Sequence, residues 1–131
     1  TLIVKPMTSE KVLKIASIFG LLAVAIGAFG AHSFESVLIE NNRVDTFETA
    51  VRYHFYHTIA LLVVSLLLQN KVSKYLNRAA ILFTLGILIF SGSLYLLAFS
   101  NITFLGAITP FGGLCFMSAW TSLFFYAKEL N

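Results

Sequence analysis

The three histidines of this chain stand at matching ends of two apolar stretches. His32 closes the first. His54 and His57 lie one helical turn apart near the start of the second, beside Glu48, Arg52, Tyr53 and Tyr56. Imidazole and carboxylate together could hold zinc or another transition ion. Imidazole and guanidinium together could hold a lipid headgroup, a quinone or a small anion. The same groups could also simply hydrogen-bond helix and loop ends and seal one mouth of a bundle. The sequence leaves these three alternatives open. Against a metal, the i, i+3 spacing of His54 and His57 has no HExxH or Cys–His pattern around it, and the permanent charge of Arg52 repels a cation. We expect no metal and no cofactor. His57 is expected to be neutral, donating one ring N–H to a carbonyl or hydroxyl and accepting at its other nitrogen.

Hydroxyl groups recur further along. Ser91 and Ser93 flank Gly92 and precede Tyr95. Thr84, Ser91 and Tyr95 would share one helical stripe, and Ser118, Thr121 and Ser122 follow. Such hydroxyls bond across helices or to their own backbone carbonyls. No Asp, Glu, Lys or Arg accompanies them at mid-membrane depth, as an ion-coupled carrier or proton relay normally requires. No Ser, Cys or Thr has a base at usable spacing, so no enzyme is expected. The single cysteine, Cys115, excludes an internal disulfide and a CxxC site, and reads as a small buried hydrophobe.

These residues need elements to position them, and charge spacing supplies the elements. From Arg78 to Lys128 no charged residue intervenes. As one helix that run would be roughly 73 Å long, against a hydrocarbon core about 30 Å thick, so it must cross, turn and cross back. Ile15–Phe34 and Tyr53–Asn70 are also free of charge. Of the 131 residues, 58% are hydrophobic and 11% charged, with a mean hydropathy of +0.86, where a soluble domain carries about a quarter charged. The chain is therefore expected to be all-α: a polytopic membrane protein, a four-transmembrane-helix bundle, with residues 1–131 forming a single transmembrane domain. The spans fall at about 12–31, 46–69, 79–99 and 110–127. Thr1–Pro6 precede Met7 and read as an extension. Lys11 and Lys14 before an apolar stretch resemble a signal peptide, with Ala28-Phe29-Gly30 as a small-residue cleavage site, but the stretch is long enough to span and is expected to be retained.

Local signals set the details. Ala23, Gly27 and Ala31 recur every fourth position and form a small-residue face for close helix packing. Phe34, Val37 and Leu38 suggest a short surface helix. Asp45 followed by Glu48 predicts a capped start to the second span. Residues 70–78 read as a short basic loop, and 102–108 as a re-entrant or interfacial turn. Thr109-Pro110 reads as a cap followed by a first helical position. Lys5, Lys11, Lys14, Lys71, Lys74, Arg78 and Lys128 flank one end of the spans; Arg43 and Arg52 flank the other. The positive-inside rule then places both termini in the cytoplasm and the histidines in the outer leaflet. The basic residues form no patch interleaved with aromatics, so nucleic acid is not an expected partner.

Four motifs occur in order: Gly27-Ala28-Phe29-Gly30-Ala31-His32, Tyr53-x-x-x-His57, Phe90-Ser91-Gly92-Ser93-Leu94-Tyr95 and Thr109-Pro110-x-Gly112-Gly113. Together they resemble the domain-of-unknown-function 423 family, relatives of transmembrane protein 256, across about residues 12–126. The resemblance implies a small four-helix membrane protein, in bacteria of the plasma (inner) membrane, with no established activity. The motif positions carry over to Gly27, Gly30, His32, Tyr53, His57, Ser91, Gly92, Ser93, Tyr95, Thr109, Pro110, Gly112 and Gly113; His54 is outside the pattern. All four motifs are expected at the outer end, with His32 and His57 in one interaction shell. The candidate cluster for a ligand, a lipid or a structural network is His32, Glu48, Arg52, Tyr53, His57, Ser91, Ser93, Tyr95 and Thr109. Gly27, Gly30, Gly92, Pro110, Gly112 and Gly113 are the candidate helix-packing positions. The reading is a non-enzymatic binding or assembly protein whose partners are membrane lipid, a second copy of itself or a larger membrane assembly. The alternative is a small channel or carrier, which would need water-filled space past Thr84 and Ser118.

Overall fold

The computed structural model describes residues 5–131, so most of the expected extension Thr1–Pro6 lies outside the described residues. Among the described residues every regular element is helical. Helix α1 is Ser9–His32, α2 is Glu35–Glu40, α3 is Val44–Asn70, α4 is Lys74–Gly86, α5 is Gly92–Ser100 and α6 is Thr109–Lys128. A π-helical stretch, Ile87–Ser91, joins α4 to α5, and a 3-10 turn, Thr103–Ala107, leads into α6. Four continuous rods are long and apolar enough to cross a membrane: Ser9–His32, Val44–Asn70, Lys74–Ser100 and Thr103–Lys128. The 27-residue rods would reach about 40 Å, more than the hydrocarbon core, so their ends stand among headgroups.

The boundaries differ from expectation where capping differs. Helix α1 starts at Ser9 because the Thr8 hydroxyl accepts from the Lys11 N–H at 3.2 Å. Ser9 instead donates its own hydroxyl to the Ser65 carbonyl at 2.8 Å, fastening the start of α1 to the end of α3. Helix α3 starts at Val44, and Asp45 lies in its first turn without capping it. Asn42 at φ 56° turns the chain there, and Arg43 takes the cap position while its Nε donates to the Asn101 side chain at 3.0 Å. Asp45 still favours the positive end of the helix dipole. Helix α4 starts at Lys74, well before the expected Ala79. Ser73 caps it by accepting from the Tyr75 N–H, and Leu76 is already fully buried in the core. The basic loop is thus only residues 71–73. Pro110 sits in the first turn of α6 as its fixed φ favours. Thr109 is not the cap; its hydroxyl is shared with Ser93, 2.6 Å away.

The rods pack antiparallel in sequence order. A Cβ placed on Gly20 would meet Thr58 at 3.7 Å and one on Gly27 would meet Val51 at 3.4 Å, while Gly30 lies directly on the Phe47 ring. These three pairs set the register of α1 against α3. The core runs through Val12, Ala16, Leu61, Val64, Leu76 and Phe83, and on to Phe116 and Ala119 of α6. Two glycines bring the third rod against α6. Gly86 faces the Phe116 ring, and a Cβ on Gly112 would stand 2.6 Å from the Phe90 Cβ and 2.7 Å from its Cα. Gly92 is different from the other expected packing glycines, since nothing lies within 4 Å of its Cβ position.

The third rod buries hydroxyls on two sides, Ser91 against Ala50 of α3 and Ser93 against Thr109 of α6. On a regular α-helix Ser91 and Ser93 would point about 200° apart. Both are buried, at 1% and 5% exposure. The extra residue of the π turn offsets Thr84 from the stripe expected to run through Ser91 and Tyr95. The Thr84 hydroxyl turns back to the Ala80 carbonyl at 2.7 Å.

Candidate functional site

The residues expected to meet at one site divide between two places, because α3 presents them on different faces. Glu48 and Arg52, one turn apart, face α1 and α2. There they line a groove of about 660 Å3 with Gly27, Gly30, Ala31 and Glu35. Its remaining walls are apolar: Leu38, Ile39, Val44, Phe47 and Val51. Gly27 and Gly30 let α1 come close to Val51 and Phe47 of α3, and the groove lies beside that contact, where α2 folds back over it. Glu48 and Arg52 stand in the acid-first i, i+4 order that favours pairing. Among the described residues, however, the ion pair that forms is Lys14–Glu10 at 2.6 Å, and Arg52 has no carboxylate oxygen within 4 Å. The guanidinium and both groove carboxylates therefore keep their bonding capacity for something else.

The second place is inside the bundle. His57 is buried, with its ring stacked on Phe116 at 3.5 Å between centroids and 8° between planes. Its Nδ1 lies 2.7 Å from the Tyr53 carbonyl oxygen, and its Nε2 lies 3.2 Å from the Trp120 indole nitrogen. A carbonyl only accepts and an indole N–H only donates. Nδ1 must therefore carry the proton and Nε2 the lone pair, which is the neutral form with one donating and one accepting nitrogen. Tyr53 stacks on Phe90 at 4.5 Å, and Phe83 meets Trp120 edge-on at 5.0 Å. One turn from His57, the His54 Nδ1 is 2.9 Å from the Tyr95 hydroxyl, while its Nε2 is buried without a hydrogen-bond partner. Ser91 donates to the Ala50 carbonyl at 2.8 Å, tying the π stretch to α3.

His32 belongs to neither group. It is exposed at the end of α1. Gly27 lies level with Val51, so His57 is six residues further along α3 and His32 five residues the other way along α1. At 1.5 Å per residue their backbone positions are separated by about 16 Å along the bundle axis. The expectation of one His32–His57 shell is corrected on this ground. Both histidines sit at the same end of their apolar stretches, but α3 begins well before its charge-free part, which lowers His57 by two to three turns. Among the described residues no three His, Cys, Asp or Glu side chains gather as metal ligands.

Several partners were not foreseen. Glu35 joins Arg52 and Glu48 only because α2 turns back over the groove. Phe90, Phe116 and Trp120 surround His57 and Tyr53. Trp120 left one usable signal: the sole tryptophan in an apolar span has an indole N–H that must find an acceptor.

A family profile described as protein of unknown function (DUF423) matches residues 26–113, more than half of the chain. The UPF0382 membrane protein YwdK of Bacillus subtilis is 44% identical over 108 residues, covering 81% of this chain and 86% of that protein. The UPF0382 inner membrane protein YgdD of Escherichia coli K12 is 34% identical over 127 residues, covering 95% of each chain. The UPF0382 membrane protein SH2409 of Staphylococcus haemolyticus is 42% identical over 103 residues, covering 79% and 83%. No solved structure matches significantly.

Proposed function

The chain belongs to the DUF423 family of membrane proteins and is an integral inner-membrane protein, and we propose that it is a non-enzymatic binding protein whose α1–α2–α3 groove holds the headgroup of an aminophospholipid. The observation that carries this reading is the composition of the groove. An apolar cleft at the end of two membrane-spanning rods ends in one guanidinium and two carboxylates, with Arg52 free of any carboxylate. Guanidinium suits a phosphate in bidentate geometry. Carboxylates suit an ammonium. A lipid carrying both groups would satisfy all three side chains, while Gly27 and Val51 offer acyl carbons an apolar wall. The groove's size lies in the usual range for small-molecule sites, about 300–1,000 Å3.

Of the hydroxyls that a channel would use, Ser118 is exposed and three others are bonded to their own helix. Thr84, Thr121 and Ser122 each donate to a carbonyl four residues earlier on their own helix. His57 is tied up on both nitrogens. These bonds support a closed interior with a binding groove at its end over a conducting path.

Native mass spectrometry of the detergent-purified protein with phosphatidylethanolamine tests this. Arg52→Ala removes a charge-assisted contact worth about 1.5–3 kcal/mol, so retention should fall roughly ten- to hundredfold. Arg43→Ala, at the same end but bonded to Asn101, should retain the lipid. Equal retention by Arg52→Ala and the unaltered protein would overturn the groove as the headgroup site.

A further inference from the structure

The opposite end of the bundle carries a second arrangement that the groove does not use. Helix α4 opens with Lys74, Tyr75 and Arg78, and α6 closes with Phe124, Phe125 and Lys128. These two segments pack side by side. The Tyr75 and Phe125 rings stack at 5.8 Å between centroids. Lys74 Nζ lies 5.1 Å from the Tyr75 ring and the Arg78 guanidinium carbon 5.8 Å from it. Lys128 Nζ lies 5.2 Å from Phe124 and 5.6 Å from Phe125. Three cations from two rods are thus strung along one aromatic ledge.

None of the three has a carboxylate oxygen within 4 Å, since the ion pair among the described residues is Lys14–Glu10. The nearest acid by sequence, Glu129, accepts a hydrogen bond from Ser73 at 2.8 Å, which directs that carboxylate to the cap of α4. The aromatic contacts fix where the cations stand. Lys74 and Arg78, one turn apart and both over the Tyr75 ring, are like charges that repel, and an anion seated between them relieves that repulsion. The depth is also set. Tyr75 stands at the end of a rod that spans the hydrocarbon, where tyrosine settles at headgroup level, and Phe124 and Phe125 lie at the same end of the bundle. The exposed faces of Phe124 and Phe125, at 61% and 42%, are apolar surface for the first carbons of an acyl chain.

We propose that the Lys74–Arg78–Lys128 ledge is a binding site for an anionic phospholipid, its phosphate held by the three cations and its glycerol and upper acyl chain lying on Phe124 and Phe125. The site is independent of the groove at the other end and of the reading given to it. Its chemistry differs too: the groove pairs a cation with two carboxylates, whereas the ledge presents three cations beside one carboxylate, Glu129, that Ser73 engages, and so selects net negative charge.

Short-chain phosphatidylglycerol, titrated into the detergent-purified full chain and read by native mass spectrometry, is the direct test. Phosphatidylcholine and inorganic phosphate serve as the other probes. Each cation held against the lipid phosphate contributes roughly a fivefold gain in affinity, taking about 1 kcal/mol per basic residue. Lys74→Ala/Arg78→Ala/Lys128→Ala should therefore bind phosphatidylglycerol about a hundredfold more weakly. Lys5→Ala/Lys11→Ala/Lys14→Ala removes the same charge from the same end and should change binding less than about fivefold. Tyr75→Leu, which keeps every charge, should weaken binding several-fold by releasing two of the cations. Phosphatidylcholine should bind equally to all variants. Three results would overturn the site: unchanged phosphatidylglycerol binding in the ledge variant, an equal loss in the control variant, or displacement of the lipid by inorganic phosphate at matching concentration.

Discussion

At the residue scale, His57 shows how an ionisable side chain is kept inside a membrane bundle. Its two nitrogens meet one obligate acceptor, the Tyr53 carbonyl, and one obligate donor, the Trp120 indole. Protonation of Nε2 would set a donor against the Trp120 donor, so the neutral form is the one the surroundings fit. The ring also fills the space against Phe116. His57→Ala should thus lose packing and leave the indole N–H without its acceptor, destabilising the protein by about 2–4 kcal/mol in detergent unfolding. Trp120→Phe keeps most of the ring volume and removes the hydrogen bond alone, and should cost about 0.5–2 kcal/mol. In a double-mutant cycle the two should couple by at least half a kcal/mol, the floor expected for residues in direct contact. Strict additivity would mean that the 3.2 Å contact carries no energy.

At the element scale, two glycines of the family motifs carry opposite predictions. Gly112 lies against the Phe90 backbone, where a methyl group has no room, so Gly112→Ala should destabilise by about 1–3 kcal/mol. Gly92 has open space at its Cβ position and begins α5, so Gly92→Ala should be neutral or stabilise by up to about 1 kcal/mol. Thermal melting of both variants in one detergent decides it, and a loss at Gly92 with none at Gly112 would reverse the packing assignment. The rods themselves were legible in the sequence, because the spacing of charges around Arg78 and Lys128 leaves a membrane no other arrangement. The helix starts were less so. Asn42 and Asn101, both at positive φ, and Ser73, serving α4 rather than a loop, are capping choices that compete with equally good signals at Asp45 and Thr109. The division of the candidate site was not legible at all. It depends on which partner packs against each face of α3, on α2 folding Glu35 back over the groove, and on α3 and α6 closing on two sides of the third rod, where Ser91 meets Ala50 and Ser93 meets Thr109. None of these leaves a periodic signature in Ile87–Ser91 or Glu35–Glu40.

At the scale of the whole molecule, an even number of antiparallel rods puts the start of α1 and the end of α6 on one side, and charge selects which side that is. Lys11, Lys14, Lys71, Lys74, Arg78 and Lys128 all lie at that end, with Lys5 just before α1, while Arg43 and Arg52 lie at the other. A loop rich in lysine and arginine resists translocation, so the 71–73 connection and both termini should face the cytoplasm, and the groove with Arg52 should face outward. This assigns the two proposed lipid sites to opposite leaflets, an aminophospholipid outside and an anionic phospholipid inside. Single-cysteine labelling in intact cells tests the assignment on a Cys115→Ser background, since Cys115 is the chain's own free thiol. Ser73 is a poor probe position because it is buried and caps α4. Val72, 70% exposed beside it, is a good one, and Glu40 at the exposed end of α2 is its counterpart. A membrane-impermeant maleimide should label Glu40→Cys directly and Val72→Cys only after permeabilisation. Labelling of Val72→Cys alone in intact cells would invert the molecule and exchange the leaflets of the two sites, while labelling of both would mean that nine basic residues divided seven to two do not fix a single orientation.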